Sequence, residues 1–363
     1  GRFGYLLSLL DALGIPLESQ LLLFSKTSLQ AVLIDPANPR ALFFNDDVAV
    51  GWIRSSPTLE VAAHDPDKGM IFYTIDQSRQ TRPVLTRERD VCVGCHSTDS
   101  SLGVPGLIVR SVFPKDTGAI ATGLIGSEAD HRVPFAERWG GWYVTGKRGP
   151  LYHRGNAVVD SVRETGGGLA STQTPSVPLQ EKFATKSFPT PYSDVVALTI
   201  FEHQAHMLNQ ITRMGQDARL ALHRASAQGI RFDEKLLSKQ VTEFVDYLLF
   251  IQEAQFTGEI EGTSGFAEKF SSLGPFDSKG RSLRQFDLRN RLMRYPCSYM
   301  IYSEAFRSLP VEARYAIYKR MWRVLSGEEH DKKYNRLALS DRKAIVEILL
   351  ETVEDLPDYF KPL

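Results

Sequence analysis

"ALFFNDDVAVGWIRSSPTLEVAAHDPDKGMIFYTID", residues 41–76, decides the fold of the first half of this chain. Short runs rich in β-branched and aromatic residues (ALFFN, VAVGWI, TLEVAAH, GMIFYTID) are separated by FNDD, RSSP and DPDKG, the residue types that reverse a chain. Strands joined by such short turns pair with their sequence neighbours, so the stretch predicts an antiparallel meander. Upstream, QAVLI at 30–34 adds an expected strand before the turn DPANPR. Downstream, GLIVRSVF, GAIATGLI, RWGGWYVTG and LYHRGNAVV read as further strands, which would give a second β layer over the first.

Beyond residue 165 the character changes. Residues 165–192 are rich in Gly, Pro, Ser and Thr, which predicts a loop or connection. From Ser193, expected as an N-cap, "SDVVALTIFEHQAHMLNQITRMGQDARLALHRA" keeps helical periodicity for about eight turns. Further helices are expected at 233–253, 285–295, 299–307, 310–326 and 340–354. The fold class is therefore α+β: a β-rich region over 1–164, a linker at 165–192 and an α-helical region over 193–363.

The 363 residues carry 42% hydrophobic and 24% charged side chains, as in soluble globular proteins. Lys plus Arg balance Asp plus Glu at 43 each, which leaves no bulk attraction to nucleic acid or to an anionic membrane. The first apolar run, FGYLLSLLDALGI, is too short to span a bilayer and has the period of an amphipathic helix.

Two of the three cysteines stand within "RERDVCVGCHSTDSSLGVPG", residues 87–106. With three Cys and eight His, chance supplies about 0.0005 C-x-x-C-H matches, so Cys92, Cys95 and His96 form a device. A zinc site needs a second close pair of ligands, and Cys297 stands alone. A redox C-x-x-C opens a helix after an apolar strand, whereas IDQSRQTRPVLTRER is polar and contains Pro83. The spacing fits covalent attachment of one c-type haem: two thiols on one helical turn form thioethers to the porphyrin vinyl groups, and His96 ligates the iron. A ligating His needs an acceptor for its other ring nitrogen. The turn LGVPGL supplies a candidate in the carbonyl of Pro105 or a neighbour. Cys297 is expected to be a buried small hydrophobe.

An electron carrier needs a second axial ligand, whereas a small-molecule site leaves that position open. The candidates are His131, His153, His203, His206, Met207 and Met214, with His153 and His203 ahead. At roughly 100° per residue, Val196, Ile200, His203, Met207, Ile211 and Met214 share one helix face, while His206 points about 60° away. The bland alternative makes His203 a satisfied core histidine and the methionines core filler. Arg110, Arg138, Trp139, Trp142 and Arg154 are expected partners for the haem carboxylates.

CVGCHSTDSSLGVPGLIVRSVFP, RWGGWYVTG with HRGN soon after, FEHQ, and RYPCSYMIYSEAFRSLP together resemble a widespread bacterial family of single-haem cytochrome c-like proteins. The resemblance covers roughly residues 20–360, and the haem motif is its only segment with an assigned chemistry. Its turn often reads H-M-G-N, and Arg154 stands here in place of that Met. The resemblance implies export and covalent haem binding, without a substrate. Haem attachment takes place outside the bacterial inner membrane, so the expected compartment is the periplasm, with the chain starting after a removed export signal or being part of a longer one. Two functions follow: electron transfer to a redox partner protein, within a larger complex or alone, or a haem enzyme or peroxide- or gas-binding protein with an open distal site, His153 and Arg154 facing the ligand. A third reading makes the helical half an interaction scaffold stapled by the haem.

Overall fold

The computed structural model describes residues 2–78, 82–124, 126–148, 152–159 and 179–363. Part of the expected linker, 165–178, lies outside them.

The meander forms as the sequence pattern predicts. β1 (Leu21–Leu23), β2 (Arg40–Phe44), β3 (Val48–Trp52), β4 (Thr58–Asp65) and β5 (Gly69–Asp76) pair in succession, all antiparallel. Side chains close the turns: Asn45 Oδ1 accepts from the Asp47 and Val48 amides at 3.1 and 2.9 Å, and Asp65 Oδ1 accepts from Asp67 and Lys68 at 3.0 and 2.9 Å. The sheet gains β6 (Leu85–Glu88) at one edge and β9 (Trp142–Tyr143) at the other, giving the order β6-β5-β4-β3-β2-β1-β9. β6 lies in the stretch IDQSRQTRPVLTRER, read from the sequence as polar. It is an exposed edge strand, so no apolar alternation marks it.

No second β layer covers this sheet among the described residues. GLIVRSVF contributes only β7 (Arg110–Ser111), paired with β8 (Ser127–Glu128), and β10 (Lys147–Arg148) pairs with β11 (Ile260–Glu261). Residues 118–124 of GAIATGLI and residues 152–159 form no strand, and residues 31–33 of QAVLI form a 3-10 turn. These runs are apolar because residues such as Val109, Val112 and Val159 are buried as extended loop, without a ladder.

Helices cover the sheet instead. Leu21, Leu23, Leu42, Phe44, Ala49, Ala62 and Phe72 face α3 (Val195–Ala227) and share one core with the helical half. On the opposite face Leu22, Phe43, Val50 and Trp52 pack against α1 (Leu6–Ala12) and against Phe183 and Phe188. The N-cap of α3 is Asp194, one residue after the expected Ser193: Asp194 accepts from the Val196 and Ala197 amides, while the Ser193 hydroxyl donates to Tyr143 O and accepts from Leu22 N. The remaining helices are α2 (Val91–His96), α4 (Ser238–Leu248), α5 (Phe266–Ser271), α6 (Glu304–Arg307), α7 (Val311–Ser326) and α8 (Leu339–Thr352). The helix expected at 285–295 is absent; Asp287 Oδ1 captures the Arg289 and Asn290 amides, Leu288 takes a left-handed φ of 58°, and Phe286 bridges Met293 across the resulting turn. No helix among the described residues is long and apolar enough to cross a membrane.

Candidate functional site

α2 has only six residues, too few to hold its own shape, and what surrounds it fixes its position. After His96 the chain folds back on itself. The Gly106 amide donates to His96 O at 2.8 Å, Ser101 Oγ donates to the same carbonyl at 3.0 Å, and Thr98 and Ser101 cap the turn between them. His96 Nδ1 donates to Gly106 O at 2.8 Å. The acceptor is thus the neighbour of Pro105; the Pro105 carbonyl accepts from the Met70 amide at 2.9 Å and ties the turn to β5. That bond makes Nδ1 the protonated nitrogen, so Nε2 carries the lone pair, and Nε2 has no hydrogen-bond partner among the described residues. Burial lowers the His96 pKa, and the Gly106 bond opposes it, leaving the neutral, ligand-competent imidazole at neutral pH.

α3 reaches this turn through Asn209, which is 1% exposed. Its Oδ1 accepts from Leu107 N at 3.0 Å and its Nδ2 donates to Leu107 O at 2.8 Å. The carboxamide lies so close to Gly106 that a Cβ there would stand 2.7 Å from Asn209 Cγ. Arg213 Nη1 adds a bond to Leu102 O at 3.1 Å.

Cys92, Cys95 and His96 line a cavity of about 400 Å³ between α2 and the helix-facing side of the sheet. The register of the strands explains its shape. One row of the sheet reads Phe44, Ala49, Ala62, Phe72 and the next Leu42, Gly51, Glu60, Thr74, so Ala49, Gly51 and Ala62 leave a hollow. Phe72 stands beside the His96 ring with centroids 4.7 Å apart, and Phe201 of α3 closes the apolar wall. Cys92 is half-buried and Cys95 exposed, both as free thiols. Burial, with the charges of Glu88 and Glu60, raises the Cys92 pKa.

Two charged side chains sit on the cavity floor where the sequence marks nothing. Arg40 lies across Gly51 and pairs through Nη2 with Glu60 Oε2. Glu60 Oε1 in turn accepts from Gln30 Nε2 at 3.0 Å. Arg40 was hidden because it closes the turn DPANPR, where an arginine reads as solvated surface.

The other expected residues fall into two groups. Arg110 lines the cavity with an exposed side chain, and Trp142 lines it too, although Trp142 Nε1 is taken by Arg110 O at 2.7 Å. Arg138, Trp139 and Arg154 do not: Arg138 and Trp139 are buried on the Glu202 carboxylate, and Arg154 stacks on Phe113. His153 is buried against Trp139, with its Nδ1 accepting from the Gly155 amide at 3.0 Å. His203 is a core histidine whose ring nitrogens meet His131 Nδ1 and Ser298 Oγ, each at 2.8 Å. Burial lowers the His203 pKa to about 3. His206 lies on Arg132 and Gln210, and Met207 and Met214 are core. All eight His and six Met lie within the described residues, and His96 is the one among them that lines the cavity. The expected placement of His153 or His203 opposite His96 does not hold in this geometry.

Cys297 is fully buried, and burial raises its thiol pKa. No group of three or more His, Cys, Asp or Glu side chains arranged to hold a metal ion occurs among the described residues. Compared with protein-family models, with curated proteins and with solved structures, the chain matches none.

Proposed function

We propose that this chain is a single-haem c-type redox protein, with the porphyrin joined to Cys92 and Cys95 and the iron held by His96. The observation that carries this reading is the His96 ring: Nδ1 is committed to the Gly106 carbonyl and Nε2 is left with its lone pair beside two free thiols one helical turn apart. The cavity fits the group in kind, being apolar along Phe72, Ala62, Ala49 and Phe201 with polar side chains at one end. The competing uses of a C-x-x-C fit less well. A redox dithiol requires a lowered thiol pKa, whereas burial raises that of Cys92, and no four-ligand zinc set surrounds the pair among the described residues.

When bound, the haem supplies a one-electron couple tuned by its axial ligand and its burial. The residues of the chain hold and shield it: Gly106 orients His96, Asn209 orients Gly106, and Phe72 and Phe201 exclude water. Electron transfer to a redox partner protein is the first role of such a centre, and the exposed Cys95 and Val91 leave one edge of α2 open to a partner. The periplasm is the compartment in which this attachment chemistry would occur.

A second reading, a haem enzyme or a peroxide- or gas-binding protein, is favoured by one observation: apart from His96, no His or Met lines the cavity. A sixth ligand of either type would need rearrangement of the core.

The test is production of the chain behind an export signal in a bacterium with haem-attachment machinery. A pyridine haemochrome spectrum of the bis-thioether type and an intact mass increased by one haem are expected, and the Cys92→Ala/Cys95→Ala variant should carry no covalent haem. A colourless wild-type protein of unmodified mass, in cells that mature a control cytochrome c, refutes the proposal. High-spin ferric iron with ready uptake of carbon monoxide after reduction would select the second reading, and a low-spin unreactive centre the first.

A further inference from the structure

The floor of the cavity holds a guanidinium whose donors are only partly used. Arg40 belongs to β2, and its side chain crosses β3 at Gly51, the position in that row without a side chain. A Cβ at residue 51 would lie 2.8 Å from Arg40 Nε and 2.9 Å from Cζ, so the arginine can lie flat there only over glycine. Glu60 holds one end of the fork through Nη2 and is itself held by Gln30, which is held in turn by the Ser56 hydroxyl. The chain of bonds fixes the guanidinium in one place. Arg40 Nε is buried and has no acceptor. A buried N–H without a partner costs about 1–3 kcal/mol, and the side chain that carries this one lines the cavity.

The two ends of that cavity differ chemically. Phe72, Ala62 and Ala49 make one end apolar beside His96, whereas Arg40, Glu60 and Thr74 make the other polar. A ligand that fits both is flat and apolar with a carboxylate on one margin. Arginine suits the carboxylate because its planar fork presents parallel donors at fixed spacing.

We propose that Arg40 is the carboxylate receptor of this cavity, with Glu60 and Gly51 as the residues that position it. The inference rests on the haem reading, in which the carboxylate is a porphyrin propionate, and it moves the principal anion contact from the exposed Arg110 to the half-buried Arg40.

The test uses full-length chain made in the cytoplasm, where no haem is attached, titrated with ferric haem and with its dimethyl ester, whose carboxylates are capped. Soret absorbance reports binding of both. The wild type should bind the free acid at least tenfold tighter than the ester. Because Arg40→Gln alone would leave Glu60 unpaired, the decisive variant is Arg40→Gln/Glu60→Gln, which replaces the ion pair by two amides. It should bind both porphyrins alike while its apo thermal midpoint stays within a few degrees of wild type. Arg110→Gln should keep most of the preference. Equal wild-type affinity for acid and ester, or a preference that survives in the double variant and vanishes in Arg110→Gln, overturns the role of Arg40 and leaves the haem reading standing. Failure of the wild type to bind either porphyrin overturns both.

Discussion

Asn209→Ala is the most informative single change, because one side chain ties the helical half to the turn that holds His96. The substitution removes the bonds to Leu107 N and Leu107 O, at 3.0 and 2.8 Å, in a place where Asn209 is 1% exposed. Two buried hydrogen bonds contribute about 1 kcal/mol each, and orphaning the backbone groups of half-buried Leu107 adds a further desolvation cost, so the expected loss is about 2–4 kcal/mol. Asn209→Asp should lose as much or more, since it keeps the acceptor for Leu107 N but sets a carboxylate against Leu107 O. Urea unfolding of the chain without haem measures the loss. A second readout follows the ring. In the wild type, long-range proton–nitrogen correlations should show His96 as the Nδ1–H tautomer bonded to Gly106, and in Asn209→Ala the population should spread to both tautomers. A loss under 0.5 kcal/mol together with an unchanged His96 tautomer would refute the claim that α3 positions this imidazole.

Gly106→Ala should be destabilising by about 1–3 kcal/mol through overpacking, because its Cβ would meet Asn209 Cγ at 2.7 Å; in the Asn209→Ala background the penalty should shrink, and a double-mutant cycle by urea unfolding checks that coupling. Arg138→Met should cost about 3–5 kcal/mol by leaving Glu202 buried without its cation, whereas Arg138→Met/Glu202→Leu should recover much of that loss in the same assay. His64, on Thr212 Oγ1 at 3.1 Å, has its pKa lowered to about 4 by burial, so its contribution is present above its unfolded value near 6.5 and lost as pH falls through 4. Replacing it by Gln should leave stability at pH 7 within about 1 kcal/mol of wild type and reduce the acid-induced loss between pH 6.5 and 4 by on the order of 3 kcal/mol, read from urea midpoints at the two ends.

The parts of this fold that were legible in the sequence are those in which burial pattern and pairing agree. The meander is one: β2 and β3 are apolar because they are paired and covered on both faces, β4 buries Leu59, Val61 and Ala62 between less buried residues, and the turns carry side chains that cap them. The clustering of Cys92, Cys95 and His96 on one short helix is another, since their spacing alone sets it. Legibility failed where the two properties separate. β6 is paired but exposed, so it looks like loop, and GLIVRSVF is buried but hardly paired, so it looks like strand. The helical wheel of α3 succeeded for His203 and Met207 and missed Asn209 and Glu202, because α3 is enclosed between the sheet and the other helices and buries its polar residues on further faces. Periodicity finds one apolar stripe, and this helix has no solvent stripe over its first three turns to contrast with it. Arg40 was illegible for a different reason: only the register that sets Gly51 between Leu42 and Glu60 turns a turn arginine into a cavity residue.

The change from strand to helix near residue 165 also suggests two independent units, and the core argues for a different view of the site. The sheet face carrying Leu42, Ala49, Ala62 and Phe72 is covered by α3 as well as by first-half residues such as His96 and Trp142, and one apolar cluster runs from Leu21 to Phe360. The cavity shares that dependence. Its floor is sheet, its wall includes Phe201, and the turn that holds His96 hangs on Asn209 and Arg213. A short helix bearing two thiols and an imidazole needs little chain to be attached to a porphyrin, but it needs rigid surroundings to hold the imidazole in one orientation and water away from it. The helical half supplies those surroundings, which on the proposed haem reading gives the length of this chain a role in the chemistry of the site.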